Sequence, residues 1–170
     1  GTPPGLVSSY LFGLSAGDTV TLSGPFGDFH ARETDAEMVL IGGGAGIAPL
    51  RAIVNDQLIG RNSKRRISLW YGARDRSDVC FADEFGMLAR EYDNCRWHGE
   101  LSDRNADPDW GGSRGFIHAV VRDEYLVSHP APEDVEYYLC GPPLMSSAVV
   151  AMLEDLGVEA DSIMFDDFGA

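Results

Sequence analysis

The chain is 170 residues long, 44% hydrophobic and 24% charged, which supports one globular core and excludes a chain disordered by composition. Asp and Glu number 27 against 13 Lys and Arg, a formal net charge of −14 that argues against a general phosphate-backbone binder, nucleic acid included. Three cysteines (Cys80, Cys95, Cys140) form no close pair, so a reducing compartment is expected rather than a disulfide framework.

No apolar run approaches the ~18 residues of a membrane span, and no export leader is recognisable. Gly1-Thr2-Pro3-Pro4-Gly5 carries no initiator Met and reads as the interior of a longer protein. Residues 18–22 predict a short β-branched strand, closed by the turn Ser23-Gly24-Pro25-Phe26-Gly27. After a polar bridge over 31–37, Met38-Val39-Leu40-Ile41 predicts a strand buried on both faces that halts at three glycines. Ile47, Leu50, Val54 and Leu58 recur at helical spacing, and Gly60 ends that helix.

The alternation repeats. Residues 67–71 predict a strand ending at Gly72, and Phe81, Phe85, Leu88 and Tyr92 predict a helix. A strand over 95–101 gives way to a polar loop through Gly112. A short helix over 117–126, a strand over 135–139, a helix over 143–156 stopped by Gly157, and a strand over 162–165 follow. Five strands separated by helices predict an α/β fold, an open five-stranded parallel sheet with helices on both faces.

The segment richest in chemistry is Ile41-Gly42-Gly43-Gly44-Ala45-Gly46-Ile47-Ala48-Pro49. It stands where a buried strand passes into a helix. Missing side chains there let main-chain N–H groups approach a pyrophosphate, and the helix N-terminus adds about half a positive charge. The spacing is G-x-G-x-x-P, with Pro49 where the dinucleotide fingerprint has Gly or Ala, and no acid closes the second strand at Tyr71-Gly72. The bland alternative is a glycine-rich turn without a ligand; four glycines in five positions favour the nucleotide.

This turn, Cys140-Gly141-Pro142-Pro143 after a late strand, and the terminal Asp166-Asp167-Phe168-Gly169 together resemble the ferredoxin–NADP reductase superfamily. Within it the chain is most similar to the F-subunit family of sodium-translocating NADH:quinone oxidoreductases. Pro3-Pro4-Gly5-Leu6-Val7-Ser8-Ser9-Tyr10, Leu69-Trp70-Tyr71-Gly72-Ala73-Arg74, Gly115-Phe116-Ile117-His118 and Ala131-Pro132-Glu133-Asp134 carry that likeness. The resemblance implies a C-terminal remnant of an FAD-binding β-barrel over residues 1–35 and an NADH-binding domain over 36–170. It implies an NADH:flavin oxidoreductase that positions NADH for hydride transfer to FAD, with this chain alone inactive or weakly active.

The same resemblance distributes roles. Gly42, Gly43, Gly44, Ala45, Gly46, Pro49, Gly72, Ser102, Asp103, Cys140, Gly141 and Pro142 would meet NADH. Gly5, Val7, Ser8 and Phe168 would meet FAD, and Cys140, Asp166 and Phe168 would flank the reacting rings. Asp103, after the third strand, would repel a 2′-phosphate and favour NADH over NADPH. FAD would be held mainly by barrel outside the chain, since the family's Arg-x-Tyr-Ser strand is absent here. The resemblance also implies a [2Fe–2S] centre in the full-length subunit, whose C-x₄-C-x₂-C spacing does not occur in this sequence. Implied partners are the FAD and [2Fe–2S] domains of the same polypeptide and further subunits of a complex on the cytoplasmic side of the inner membrane. An aromatic-ring oxygenase reductase shares these motifs, and a non-catalytic dinucleotide sensor remains an alternative.

Weaker signals stay with their ordinary readings. His30, His98, His118 and His129 are scattered, Cys95 and His98 make one close pair, and no metal site is expected. Arg61-Asn62-Ser63-Lys64-Arg65-Arg66 predicts a solvated helix–strand loop.

Overall fold

The computed structural model describes residues 5–24, 26–103 and 107–166. Each apolar run bounded by glycine or polar breaks becomes a strand: β1 (Met38–Gly43), β2 (Ile67–Ala73), β3 (Cys95–Leu101), β4 (Glu136–Cys140) and β5 (Ile163–Asp166). They form one sheet in the order β3-β2-β1-β4-β5, and every neighbouring pair is parallel. β1 and β4 are buried along their whole length, as strands covered on both faces must be.

Helices α2 (Ile47–Asn55) and α3 (Ala82–Glu91) cover one face, while α4 (Ile117–Glu124) and α5 (Pro143–Asp155) cover the other. Side-chain alternation divides the core accordingly. Met38, Leu40, Leu69 and Tyr138 pack towards α2 and α3, whereas Val39, Ile41, Trp70 and Leu139 pack towards α4 and α5. The predicted alternation, sheet and double-sided cover are all present.

Four local readings change. Residues 18–22 form no strand, and no ladder or bridge among the described residues includes them. The helix predicted through Leu58 becomes α2 followed by a π turn over Asp56–Gly60, where Arg61 N–H donates to Asp56 O at 2.8 Å. That wider turn lets Gln57 and Leu58 both face the core. The helix expected to reach Leu126 ends at Glu124 and is followed by a 3₁₀ turn, Leu126–Ser128.

The fourth change concerns the basic loop. Arg65 is 7% exposed and pairs with Glu136 at 2.6 Å, so it belongs to the interior rather than to a solvated surface. Hydrophobic neighbours are missing at the N-terminal end. Helix α1 (Leu6–Phe12) buries no residue, and Leu6 and Phe12 are about nine-tenths exposed.

Candidate functional site

β1 connects onward to β2 on one side of the sheet, while β4 connects to β5 on the other. Their carboxyl ends therefore open a crevice, the position at which open α/β sheets bind ligands. The glycine turn leaves β1 here and Cys140-Gly141-Pro142 leaves β4. The two meet: a Cβ at Gly46 would stand 1.9 Å from the Cys140 carbonyl oxygen and 2.3 Å from its carbonyl carbon. Only hydrogen fits between them.

Gly44 has a different task. Its φ is +54°, and a Cβ there would meet nothing within 4 Å. The open space is a cavity of about 1000 Å³ at the carboxyl edge of the sheet. Tyr71 secures the turn from beneath, its hydroxyl donating to Gly44 O at 3.0 Å with Asp78 O at 3.3 Å. Burial, assisted by the Cys80 thiol, pushes the Tyr71 phenol up to about 12, so it remains a protonated donor at neutral pH.

The first turns of α2, α4 and α5 all border this cavity, and none contains an acidic side chain. Each contributes N–H groups without an intrahelical partner and the positive end of its dipole. Arg74 and His118 also line it, against one carboxylate, Asp78. Arg74 and Asp78 cancel, so it is the three helix N-termini that favour an anion here. Most of the remaining wall is apolar, with Ile47, Phe116, Leu144 and Met145, and suits a flat ring.

The expected site residues separate into groups. Gly43, Gly44, Ala45, Gly72, Ser102 and Pro142 line the cavity. Gly42, Gly46 and Cys140 lie behind it; Cys140 is fully buried in the core on the α2 side. Gly141 packs on the same seam, where a Cβ would reach Met145 Cε at 2.5 Å and Gly43 N at 3.1 Å. Asp103 is exposed just beyond the cavity rim, its N–H donating to Arg74 O at 3.1 Å.

Pro49 and Asp166 meet elsewhere, in a second cavity of about 560 Å³ shared with Phe26, Asp28, Phe29 and Phe165. Gly5, Val7 and Ser8 line neither cavity, and the Ser8 hydroxyl donates to Gly5 O at 3.1 Å. Phe168, Asp167 and Arg104 lie outside the described residues. No three His, Cys, Asp or Glu side chains gather as a metal site among the described residues.

Sequence reading overlooked Phe116, Ser77 and Cys80 as walls of the main cavity. A signal existed for Phe116: an aromatic at the N-cap of α4, where a small polar residue is usual, and 70% exposed.

Residues 40–151 match the family model of the oxidoreductase NAD-binding domain. The chain belongs to that family. It is 57% identical over 167 residues to the F subunit of the Na(+)-translocating NADH-quinone reductase of Yersinia enterocolitica, covering 98% of this chain and 41% of that protein. It thus spans about two-fifths of the length of such relatives. Among solved structures, the flavohem-like FAD/NAD-binding domain of nitric oxide dioxygenase from Vibrio cholerae superposes with TM-score 0.82 at 30% identity, over 98% of this chain and 66% of that one. The ferredoxin reductase in carbazole 1,9a-dioxygenase gives 0.75 at 33%, over 99% and 49%. An NAD-binding oxidoreductase domain is therefore the family setting of the chain. No helix among the described residues is long and apolar enough to cross a membrane.

Proposed function

We propose that this chain binds NADH in the main cavity and presents its nicotinamide to an FAD held mainly by a barrel outside residues 36–170. The observation that carries this reading is the turn at Gly44, open to a cavity bordered by three helix N-termini without an acid among them. The diphosphate would rest on the N–H groups of residues 44–46, and the adenosine would run towards Ser102 and Asp103. When bound, NADH supplies the hydride and FAD accepts it; the protein's part is to hold the two rings face to face and dry.

The residues fit these groups. The cavity volume suits a dinucleotide, and the Asp103 carboxylate disfavours the extra phosphate of NADPH. Asp166 and the second cavity would face the flavin. Cys140 would act through its main chain, because its side chain faces the core. In this reading residues 1–35 close the flavin barrel, with Gly5, Val7 and Ser8 at its pyrophosphate. The whole polypeptide then adds a [2Fe–2S] domain and works in a membrane complex on its cytoplasmic side. The reductase of an aromatic-ring oxygenase is the second reading, favoured by the carbazole dioxygenase neighbour at 33% identity; the 57% relative supports the first.

Calorimetric titration with NADH and NADPH, paired with NADH:ferricyanide turnover, tests the proposal. NADH should bind at least about tenfold tighter than NADPH, equivalent to about 1.4 kcal/mol. Turnover should be weak for this chain and restored with the flavin barrel. Strong turnover by the chain alone, or no NADH binding, would overturn it.

A further inference from the structure

The segment 26–36 is strapped along β4 on the α2 side of the sheet, and its course is antiparallel to that strand. Thr34 sits at the first β4 residue, where its hydroxyl donates to Glu136 Oε1 at 2.8 Å. Two residues upstream, Arg32 N–H donates to the Tyr138 hydroxyl at 3.0 Å, and that hydroxyl donates to Glu136 Oε2 at 2.7 Å. Further up, Phe29 meets the Tyr138 ring edge-on at 6.4 Å, and Phe26 to Phe29 reach the second cavity beside Pro49 and Asp166.

Arg65 locks this course from the other side. Its Nε donates to Ala36 O at 2.6 Å, Nη1 to Arg32 O at 2.8 Å and Nη2 to Glu136 Oε2 at 2.6 Å. A guanidinium that grips two carbonyls of one segment and a carboxylate of the sheet has its donors committed in three directions. Burial alone would push the Glu136 carboxyl up, but the hydrogen bonds from Tyr138, Arg65 and Thr34 outweigh it and hold the group below its ordinary range. The clamp lies at the amino end of β4, remote from the Gly44 cavity at the carboxyl ends. Nothing in dinucleotide binding requires it there.

We propose that Arg65, Glu136, Tyr138 and Thr34 are positioning residues that fix the path by which the chain enters the sheet, and so set the flavin-bearing segment in register with the nicotinamide end of the cleft. This rests on the reading of FAD as hydride acceptor. The strap replaces a hinge between two cofactor-binding units with a rigid connection from Phe29 onward.

The test uses the full-length protein with its flavin, comparing Thr34→Val and Tyr138→Phe with the wild type. Each variant deletes one hydroxyl and keeps the Arg65–Glu136 pair, so folding is preserved where Arg65→Gln risks losing it. Stopped-flow reduction of the flavin by NADH should slow about tenfold, as a misplacement of reacting rings by under an ångström would produce. The NADH dissociation constant should move less than about twofold, and Thr34→Ser should recover the rate. An unchanged rate, or binding that weakens in step with it, would overturn the clamp. A wild type that binds NADH without reducing flavin would instead refute the proposed function on which it rests.

Discussion

Gly46→Ala tests the seam between the two turns most directly. Its added methyl would stand 1.9 Å from Cys140 O, 2.3 Å from Cys140 C and 2.8 Å from Gly141 N. Carbon contacts are comfortable from about 3.5 Å, so the main chains must part by about 1.5 Å. Neither partner is a flexible side-chain end; one is the start of α2 and the other the end of β4. Overpacking costs about 1–3 kcal/mol, and this site belongs at or above the top of that range. For a chain of this size about 3 kcal/mol lowers Tm by about 6–12 °C. Gly44→Ala provides the control in the same turn, where the Cβ clashes with nothing and only the left-handed φ of +54° is strained, about 1–2 kcal/mol. Calorimetric melting of both variants, with NADH titrations alongside, should give the larger Tm loss for Gly46→Ala and weakened binding with it. A Gly46→Ala protein as stable as wild type, or less damaged than Gly44→Ala, would refute the argument that these turns meet main chain to main chain.

Other consequences are simpler to state. Tyr71→Phe deletes the donor to Gly44 O and should cost about 1 kcal/mol, read as a Tm drop of about 2–4 °C. Asp103→Arg should narrow or invert the NADH preference by about tenfold, measured by titration with both dinucleotides. Glu100 is 2% exposed, and burial with the nearby Glu124 pushes its carboxyl up to about 7. The folded state therefore holds this proton more tightly than the unfolded chain. The stability it confers is complete below the ordinary value of 4.5 and is lost as pH rises through 7. Glu100→Gln should flatten that slope, gaining about 1–2 kcal/mol on the wild type between pH 5.5 and 8 in urea unfolding, a figure discounted for solvent relaxation.

The sheet was legible because its strands are written twice over: Met38-Val39-Leu40-Ile41 is continuous and apolar, and glycine stops it. Periodicity likewise placed α3 and α5. What escaped has a shared cause. A residue's role as a wall depends on where the chain returns, and Phe116, Ser77 and Cys80 reach the cavity from separate connections. Arg65 looked like one charge in a basic loop; its partners Arg32, Ala36 and Glu136 are 33, 29 and 71 residues away. The strand expected over 18–22 had β-branched residues but no opposite number. Glycine richness marked the turn correctly yet could not divide its labour, with Gly46 packed against main chain and Gly44 facing the open cavity.

The fit of Gly46 against Cys140 joins positions 94 residues apart, using two strands that are adjacent in the sheet but not in sequence. A chain that has emerged only through its first three strands has made the glycine turn without its buttress. The cavity at Gly44 therefore takes shape only when β4 docks against β1, before β5 is added at the edge of the sheet.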